Sequence, residues 1–413
     1  MEHPTLVLII FVITYIFIAV QRIPGLRIDR PSGVTIGSTL LLLSGLLNIE
    51  EAYSFIDWHV ITFLLGMMVM IAYLEFAGFF EHVALWLVQI SRSAAQLLLA
   101  TILSSALLSA FFVNDTICLL FTPIILKATR FLKLNPLPYL IAIATASNIG
   151  SALTITGNPQ NMYIGIQSGI PFLRFMLAML PPVAAGLAIN YYLVRLIFRK
   201  TVNHQPIEKV SIRIPKLKRT LTFKALAALG ITLALFIAGM GYPFAALVGA
   251  SLILLAGYVP PRLVLKEVDW TILLFFAGLF IVMGAFEKAG YMETLMQFAA
   301  RRVSGESFGG FMGLSLIVTL LSNLVSNVPA VILMQPLVEQ FGGGEKFWLL
   351  LALASTFAGN LTLVGSVANL IVAEKALARQ VHLGFLAYLK AGFPLALLSL
   401  AAGTVWLWFF FAG

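Results

Sequence analysis

The sequence predicts an all-α polytopic membrane protein made of two inverted-topology repeats, each with five spans, a re-entrant hairpin and a broken helix. Three observations predict this fold: the composition, a repeat that runs through the chain, and the distribution of positive charge. Of the 413 residues, 60% are hydrophobic and only 10% are charged, whereas about a quarter of a soluble chain is charged. Apolar runs of membrane-spanning length recur along the whole chain, so no separate soluble domain is predicted.

The repeat appears when the chain is compared with itself at a shift of 212 residues. Asp57 then coincides with Asp269 and Gly66 with Gly278, without a gap. At a shift of 213, Asn114 falls on Asn327. At a shift of 208, three polar positions coincide, namely Thr154 with Thr362, Gly157 with Gly365 and Asn161 with Asn369. The chain therefore divides into an N-terminal repeat (1–198), a basic linker (199–220) and a C-terminal repeat (221–413).

The apolar runs of the first half give its elements in order. They are spans at Thr5–Val20, Val34–Leu47 and Trp58–Phe80, interrupted runs at Ala94–Leu126 and Leu137–Ile170, and a last span at Leu173–Phe198. One crossing needs about 20 residues, so both interrupted runs are too long for a single helix. If Ala94–Leu126 is a hairpin that enters and leaves on one face, five crossings remain. An odd number of crossings inserts the second half upside down.

Positive charge supports this topology. With the N-terminus outside, one face receives the linker and most other cations, as the positive-inside rule requires. These cations are Arg22, Arg27, Arg30, Arg92, Lys127, Arg130, Lys133, Arg262, Lys266, Lys375 and Arg379. The net charge of +9 is thus explained by topology, so a lipid bilayer and not nucleic acid is the predicted partner. We expect a multi-pass protein of a prokaryotic inner membrane, with a periplasmic N-terminus and a cytoplasmic linker.

Four polar breaks interrupt the apolar segments, a hairpin tip and a broken helix in each half. Non-helical backbone at membrane depth must be buried in protein or line a wet cavity. Half-helix N-termini there suit an anion or a polar neutral solute. One Ser or Thr alone is better explained by capping or helix association, but four duplicated clusters favour a transport site. The predicted solute- or ion-binding residues are Asn114, Thr116, Asn148, Thr154, Gly157, Asn158, Gln160, Asn161, Ser326, Asn327, Asn360, Thr362, Gly365, Ser366 and Asn369.

Asp115 is the one acidic residue in these breaks. Ionisable groups at this depth mark proton or ion pathways, and its repeat counterpart is Val328, so symmetry does not require it. Asp115 is predicted to carry a coupling proton or to ligate sodium, with a helix N-cap as the alternative. Cys118 could contact a metalloid, although a lone buried cysteine is usually a small apolar residue. The sequence shows no P-loop, metal cluster or catalytic dyad, so neither an enzyme nor a cofactor is predicted.

The breaks resemble those of the ion transporter superfamily, in particular arsenite efflux pumps, NhaD-type antiporters and P-protein permeases. Val113-Asn114-Asp115-Thr116 followed by Phe121-Thr122-Pro123 is similar to the A-N-D-G…L-T-P stretch of arsenite pumps. Gly157-Asn158-Pro159-Gln160-Asn161 is similar to the G-N-P-x-N break of arsenical and anion permeases, and Ser326-Asn327-Val328-Pro329 to the N-N-M-P tip of arsenite pumps. Residues 359–366 depart from those pumps and lack their Asp, Lys and Pro. The resemblance implies an elevator-like motion, commonly a homodimer, and in some relatives a soluble ATPase subunit.

Two functions follow from this resemblance. The first is proton-coupled efflux of arsenite or antimonite, whose neutral trihydroxides need a polar site without a strong cation. The second is sodium-coupled anion transport or sodium/proton antiport. The breaks contain no Lys or Arg, which favours the first function.

Overall fold

The computed structural model describes residues 4–19, 29–202, 216–294 and 307–411. The described residues up to position 202 contain α1 (Pro4–Ala19), α2 (Arg30–Leu43), α3 (Ile49–Phe55), α4 (Trp58–Phe76), α5 (Phe79–Ile90), α6 (Ala94–Phe111), α7 (Asn114–Phe131), α8 (Leu137–Ser151), α9 (Pro159–Ser168), α10 (Phe172–Ile197) and α11 (Arg199–Val202). The described residues from position 216 onward contain α12 (Arg219–Ile237), α13 (Tyr242–Ala256), α14 (Pro261–Val264), α15 (Trp270–Lys288), α16 (Phe308–Val325), α17 (Asn327–Gln340), α18 (Glu345–Ala358), α19 (Val367–Leu377) and α20 (Phe385–Phe410).

Seven of the described helices are long and apolar enough to cross a membrane, namely α4, α6, α10, α12, α15, α16 and α20. The chain is therefore an all-helical multi-pass membrane protein, which confirms the predicted fold class. The order of helices repeats as well, because α1 to α4 correspond to α12 to α15 and α6 to α10 correspond to α16 to α20.

The two halves interlock through equivalent pairs of helices. Helix α2 packs on α15, and its counterpart α13 packs on α4. Glycine permits both close approaches: a Cβ at Gly66 would lie 2.8 Å from the Ala246 backbone, and one at Gly278 would lie 2.9 Å from Val34. The same exchange of partners on both sides indicates pseudo-two-fold symmetry between the halves.

Counterpart helices run in opposite directions. Lys288 at the end of α15 forms an ion pair with Glu51 in α3, the short helix that precedes α4. The Trp406 indole, near the end of α20, donates to the carbonyl of Ala178, near the start of α10, at 3.0 Å. Helices α4 and α15 are therefore antiparallel, as are α10 and α20. This is the arrangement that inverted-topology repeats require.

The molecule has two ends, which are named here by the linker. The backbone N–H of Lys218, where the described chain resumes after the linker, donates to Ala77 O just after α4. The end at which α4 finishes and α15 begins is called the linker face. The opposite end, where Glu51 meets Lys288, is called the far face.

Both predicted hairpins and both broken helices are present. Helices α6 and α7 turn at Phe112 and Val113, and α16 and α17 turn at Ser326. Residues 152–158 separate α8 from α9, and residues 359–366 separate α18 from α19. All four breaks coincide with the polar clusters of the sequence.

The sequence prediction places the C-terminal end of one span incorrectly. The sequence indicates one helix over Trp58–Phe80, but α4 ends at Phe76 and a separate helix, α5, begins at Phe79. Gly78 has φ 74°, a left-handed conformation that glycine adopts without steric cost and that interrupts a helix. Most of the predicted linker, and the predicted inner-face cations Arg22 and Arg27, lie outside the described residues.

Candidate functional site

A cavity of about 380 Å³ lies where the hairpin tips and the broken helices meet. The N-terminal residues of α7, α9, α17 and α19 all line it, and it also contacts the starts of α2 and α15. Since α15 begins at the linker face, the cavity opens toward that face. Each helix N-terminus presents unpaired N–H groups and about half a positive charge, so this convergence favours electron-rich oxygen atoms.

Six of the predicted site residues line the cavity directly. They are Asn114, Asp115, Gln160, Ser326, Asn327 and Ser366. Nine others do not line it and lie within or next to the breaks. They are Asn148, Thr154, Gly157, Asn158, Asn161, Asn360, Thr362, Gly365 and Asn369. Thr116, half-buried on the first turn of α7, also does not line the cavity.

Asn161 and Asn369 shape the two breaks in the same way. The Asn161 amide donates to the carbonyls of Ser151 and Thr154 at 3.2 and 3.0 Å. The Asn369 amide donates to the equivalent carbonyls, those of Gly359 and Thr362, at 2.6 and 3.1 Å. Each side chain satisfies carbonyls that an unwound segment would otherwise leave unpaired. These two residues are structural parts of the site.

Asn148 joins the two halves beneath the cavity. Its amide nitrogen donates to Asn360 at 3.0 Å and to Asn369 at 3.1 Å. Its oxygen accepts from Asn114 at 3.0 Å and from Ser366 at 3.1 Å. An asparagine side chain offers two donors and two acceptor lone pairs, so Asn148 is fully occupied. It positions the cavity residues and has no capacity left for a solute.

The two hairpin tips differ in hydrogen bonding. Asn114 is held by Asn148 and by its own backbone N–H, which donates to Gly157 O at 3.1 Å. Its counterpart Asn327 also lines the cavity, yet its buried Oδ1 has no hydrogen-bond partner within the described residues. Buried polar atoms are rarely left unpaired. Asn327 therefore brings to the cavity lining an amide whose buried oxygen is still unpaired.

Asp115 lies on the first turn of α7 and lines the cavity, as predicted. The N-cap of this helix is Val113, so Asp115 is not the N-cap that the alternative interpretation required. Cys118, one turn further along, is fully buried, and its thiol lies 3.0 Å from the Ser147 hydroxyl. It packs between α7 and α8 away from the cavity, which gives it a place in the core and no contact with a solute there.

The sequence interpretation missed four charged residues at the cavity, namely Asp29, Arg30, Asp269 and Glu374. Asp29 and Asp269 are N-caps of α2 and α15. Hydrogen bonds from the side chain and backbone of Ser32 keep the pKa of Asp29 below its ordinary value. With Asp115, the cavity contains four carboxylates and one guanidinium, a formal net charge of −3. The repeat of Asp57 at Asp269 was visible in the sequence, but its place at the cavity depends on tertiary packing.

The far face is closed over the same site. The Gln167 amide, at the end of α9, donates to Asp57 Oδ2 at 2.7 Å. Tyr242, at the start of α13, donates to the carbonyl of Ile170 at 2.6 Å. Tyr163 of α9 also donates to Gln335 of α17. These contacts fasten the second arm of the first broken helix to α4, α13 and the second hairpin.

Within residues 4–19, 29–202, 216–294 and 307–411, no group of three or more His, Cys, Asp or Glu side chains has a geometry that could hold a metal ion. The cavity carboxylates are thus dispersed and not clustered. The site is built from amides, hydroxyls and helix N-termini, with carboxylates at intervals around it.

Inverted repeats, paired hairpins and broken helices that meet at one cavity define a secondary transporter and not an enzyme. The chain belongs to the citrate transporter family (CitMHS), whose profile matches residues 6–355. This confirms the resemblance to the ion transporter superfamily.

Individual relatives of the chain are also named as transporters. The chain is 29% identical to the silicon efflux transporter LSI3 of Oryza sativa subsp. japonica, with 86% of each chain covered. It is 28% identical to the putative transporter arsB of Dictyostelium discoideum, over 97% of this chain and 92% of that one. Among solved structures, the YdaH transporter of Alcanivorax borkumensis matches with a TM-score of 0.63 at 14% identity, over 99% of both chains, which supports the fold.

Proposed function

We propose that this protein exports neutral trihydroxides of arsenic or antimony across a prokaryotic inner membrane in exchange for protons. In the topology that positive charge predicts, the linker face is cytoplasmic, so the cavity opens toward the cytoplasm and receives solute from there. Asp115 is the proposed proton carrier, and the amides and hydroxyls around it are the proposed solute contacts.

The unpaired acceptor of Asn327 is the observation that carries this proposal. When the Asn327 side chain turns its Oδ1 toward the cavity, a trihydroxide can donate a hydrogen bond to that oxygen, whereas a fully ionised anion has no proton to donate. The same solute has oxygen lone pairs for the N–H groups of the four converging helices. An uncharged solute with both donors and acceptors therefore fits the lining of the inner cavity.

The charge of the cavity supports an uncharged solute. Arg30 is the one cationic side chain among the lining residues, against four carboxylates. A multiply charged carboxylate is typically held by bidentate arginines, and would here face a net repulsion. A neutral solute incurs no such repulsion.

Asp115 gives the cavity a group that can exchange a proton. It lies at the tip of a hairpin and next to the amide network, where a change of its charge reaches the proposed solute contacts. Ionisable residues at membrane depth commonly serve proton relays. In the proposed cycle Asp115 is protonated when the site faces the periplasm and releases that proton toward the cytoplasm.

One relative is named a silicon efflux transporter and another a putative transporter arsB, and these names support efflux of a metalloid by this chain. A homodimer, and association with a soluble ATPase subunit, remain predictions from the resemblance.

Sodium-coupled anion uptake is the second candidate, and the four helix N-termini around the cavity favour it. Their partial positive charges, together with Arg30, would attract an anion. The family description, citrate transporter, agrees with such a solute. Bound sodium ions would then have to offset the cavity carboxylates.

The test expresses the chain in a bacterium that lacks its own arsenite pump. We expect the wild-type chain to restore growth in arsenite and Asp115→Asn to abolish that rescue. With Asn327→Leu, the highest arsenite concentration that allows growth should fall at least about tenfold. Inverted membrane vesicles should accumulate radiolabelled arsenite when a proton gradient is applied, without sodium.

Thr116→Ala is the matched control, because it alters the same hairpin outside the cavity and should leave tolerance unchanged. Membrane levels of each variant are compared by immunoblot. No rescue by the wild-type chain, combined with sodium-dependent citrate uptake in vesicles, would establish the second candidate and contradict the first.

A further inference from the structure

We propose that two contacts close the cavity when the site faces the other side of the membrane: an ion pair between Asp269 and Lys375, and a hydrogen bond from Arg30 to the carbonyl of Ala378. The proposal does not depend on which solute is carried. It follows from applying the contacts of the closed far face to the equivalent residues of the open linker face.

The far face supplies the pattern. Asp57 caps α4 with one carboxylate oxygen, which accepts from the N–H groups of His59 and Val60. Its other oxygen accepts from Gln167 at 2.7 Å. Beside this pair, the Tyr242 hydroxyl donates to Ile170 O at 2.6 Å. The end of α9 is thus fastened to the starts of α4 and α13.

The repeat assigns a counterpart to each of these residues. A shift of 212 takes Asp57 to Asp269 and takes Arg30 to Tyr242. A shift of 208 takes Gln167 to Lys375 and Ile170 to Ala378. The equivalent contacts on the linker face therefore join Asp269 to Lys375 and Arg30 to Ala378 O.

Two local features support this alignment for α15 and α19, and Arg30 and Tyr242 are each the first residue of their helices. Asp269 caps α15 as Asp57 caps α4, with its Oδ1 accepting from the N–H groups of Thr271 and Ile272. Asn369 bonds to the carbonyls of its break as Asn161 does. Shifting the alignment by one residue in α15 or in α19 would remove these matches.

The chemistry of the counterparts suits the same contacts. A lysine ammonium donates to a carboxylate as an amide does, with a charge added. A guanidinium donates to a carbonyl as a tyrosine hydroxyl does. Although the residues differ between the two faces, Lys375 and Arg30 can each donate a hydrogen bond, as Gln167 and Tyr242 do on the far face.

On the linker face these groups are separated in the present conformation. Asp57 and Gln167 are half-buried, whereas Asp269 and Lys375 are exposed. The Oδ1 atom of Asp269 takes all the hydrogen bonds that this side chain makes to described residues, which leaves Oδ2 available. The buried Nε of Arg30 has no partner within the described part of the chain. One carboxylate oxygen of Asp269 and the Nε of Arg30 are therefore without hydrogen-bond partners among the described residues that line the cavity.

Movement of α19 toward α2 and α15 would make both contacts and cover the cavity. The cavity is already lined by Asp269 and Arg30, and also by Ile371 and Glu374 of α19, just before Lys375. The far-face contacts of α9 would separate in the same movement, because α9 and α19 are counterparts. Asp269 and Lys375 are accordingly positioning residues for the opposite-facing state and not solute ligands.

The test is disulfide trapping in a Cys118→Ala background, with Leu370→Cys as a reporter inside the cavity. One variant adds Asp269→Cys with Lys375→Cys, and the matched variant adds Asp57→Cys with Gln167→Cys. After oxidation, a maleimide is added to protein in membranes and labelling of the reporter is measured by mass spectrometry. No transported solute is needed, so failure of the proposed function would not affect the result.

We expect the Asp269/Lys375 crosslink to reduce labelling of the reporter at least about tenfold and reduction to restore it. The Asp57/Gln167 crosslink should leave the reporter reactive. If the Asp269/Lys375 pair does not crosslink while each cysteine labels singly, or crosslinks with the reporter still reactive, the proposal is wrong.

A second pair of variants tests the contact without cysteine pairs. Lys375→Gln weakens the proposed linker-face contact, and Gln167→Lys strengthens the far-face contact. Both should raise reporter labelling, by about two- to fivefold, whereas Lys375→Arg should leave it unchanged. Equal labelling in all three would contradict an ion pair at Asp269.

Discussion

Asn148 lies beneath the cavity and connects its lining residues through hydrogen bonds. It connects the tip of the first hairpin to both ends of the second break through four hydrogen bonds. The sequence placed it among the binding residues because it is an Asn in a polar break. Its saturated hydrogen bonding shows a supporting role, which only the three-dimensional arrangement could reveal.

Substitution of Asn148 tests this role. Asn148→Ala leaves the amide of Asn114 and the hydroxyl of Ser366 without their partner, and unpaired buried groups cost about 1–3 kcal/mol each. We expect the free energy of unfolding in detergent to fall by about 2 kcal/mol or more. Thr116→Ala, on the same hairpin, should change it by less than about 0.5 kcal/mol. An unchanged melting temperature for Asn148→Ala would contradict the supporting role.

Ser326 forms the sharpest turn of the second hairpin. Its φ of 79° and ψ of 159° lie in a region that is strained for any residue with a Cβ. The equivalent residue of the first hairpin, Val113, has φ −45°. The two tips therefore differ in backbone conformation as well as in their acidic residue, and the strain lies where the cavity is lined.

Ser326→Gly and Ser326→Ala separate this strain from loss of the hydroxyl. Both remove the hydroxyl, but only glycine adopts the observed φ without steric cost. We expect the glycine variant to be more stable than the alanine variant by about 1 kcal/mol, measured by thermal unfolding in detergent. Equal stability would show that the turn is not strained.

Close packing of α6 on α8 places the first hairpin against the first broken helix. A Cβ on Gly150 would lie 2.2 Å from the carbonyl oxygen of Ala106, so the helices would have to separate. We expect Gly150→Ala to destabilise by about 1–3 kcal/mol. Gly230→Ala in α12 is the control, because no atom outside the neighbouring helix backbone lies within 4 Å of its Cβ position, and it should stabilise by up to about 1 kcal/mol.

At the scale of the whole molecule, antiparallel counterpart helices predict a measurable membrane topology. Lys133 follows α7 and Lys346 is the second residue of α18. Cysteines introduced there, with Cys118 replaced by Ala, should react with an impermeant maleimide from opposite sides of the membrane. Labelling of both from one side would exclude the inverted arrangement in the bilayer.

Much of this architecture could be predicted because polar residues that are ambiguous singly recur at equivalent positions of the two repeats. One Asn in an apolar helix is ambiguous, but Asn161 and Asn369 in equivalent breaks are not. The end of α4 was wrong because Gly78 changes the backbone direction within a continuous apolar run, which hydropathy does not detect. The cavity rim was missed because Asp29 and Asp269 come from different halves, and their proximity depends on how α2 and α15 pack.

Asn161 and Asn369 also bear on the speed of the transport cycle. Each keeps its unwound segment satisfied with hydrogen bonds from within the same half. A segment that carries its own partners can be displaced as a body, without first exposing bare carbonyls to hydrocarbon. We therefore expect the reorientation step to have a modest activation enthalpy, and Asn161→Ala or Asn369→Ala to steepen the Arrhenius plot of transport.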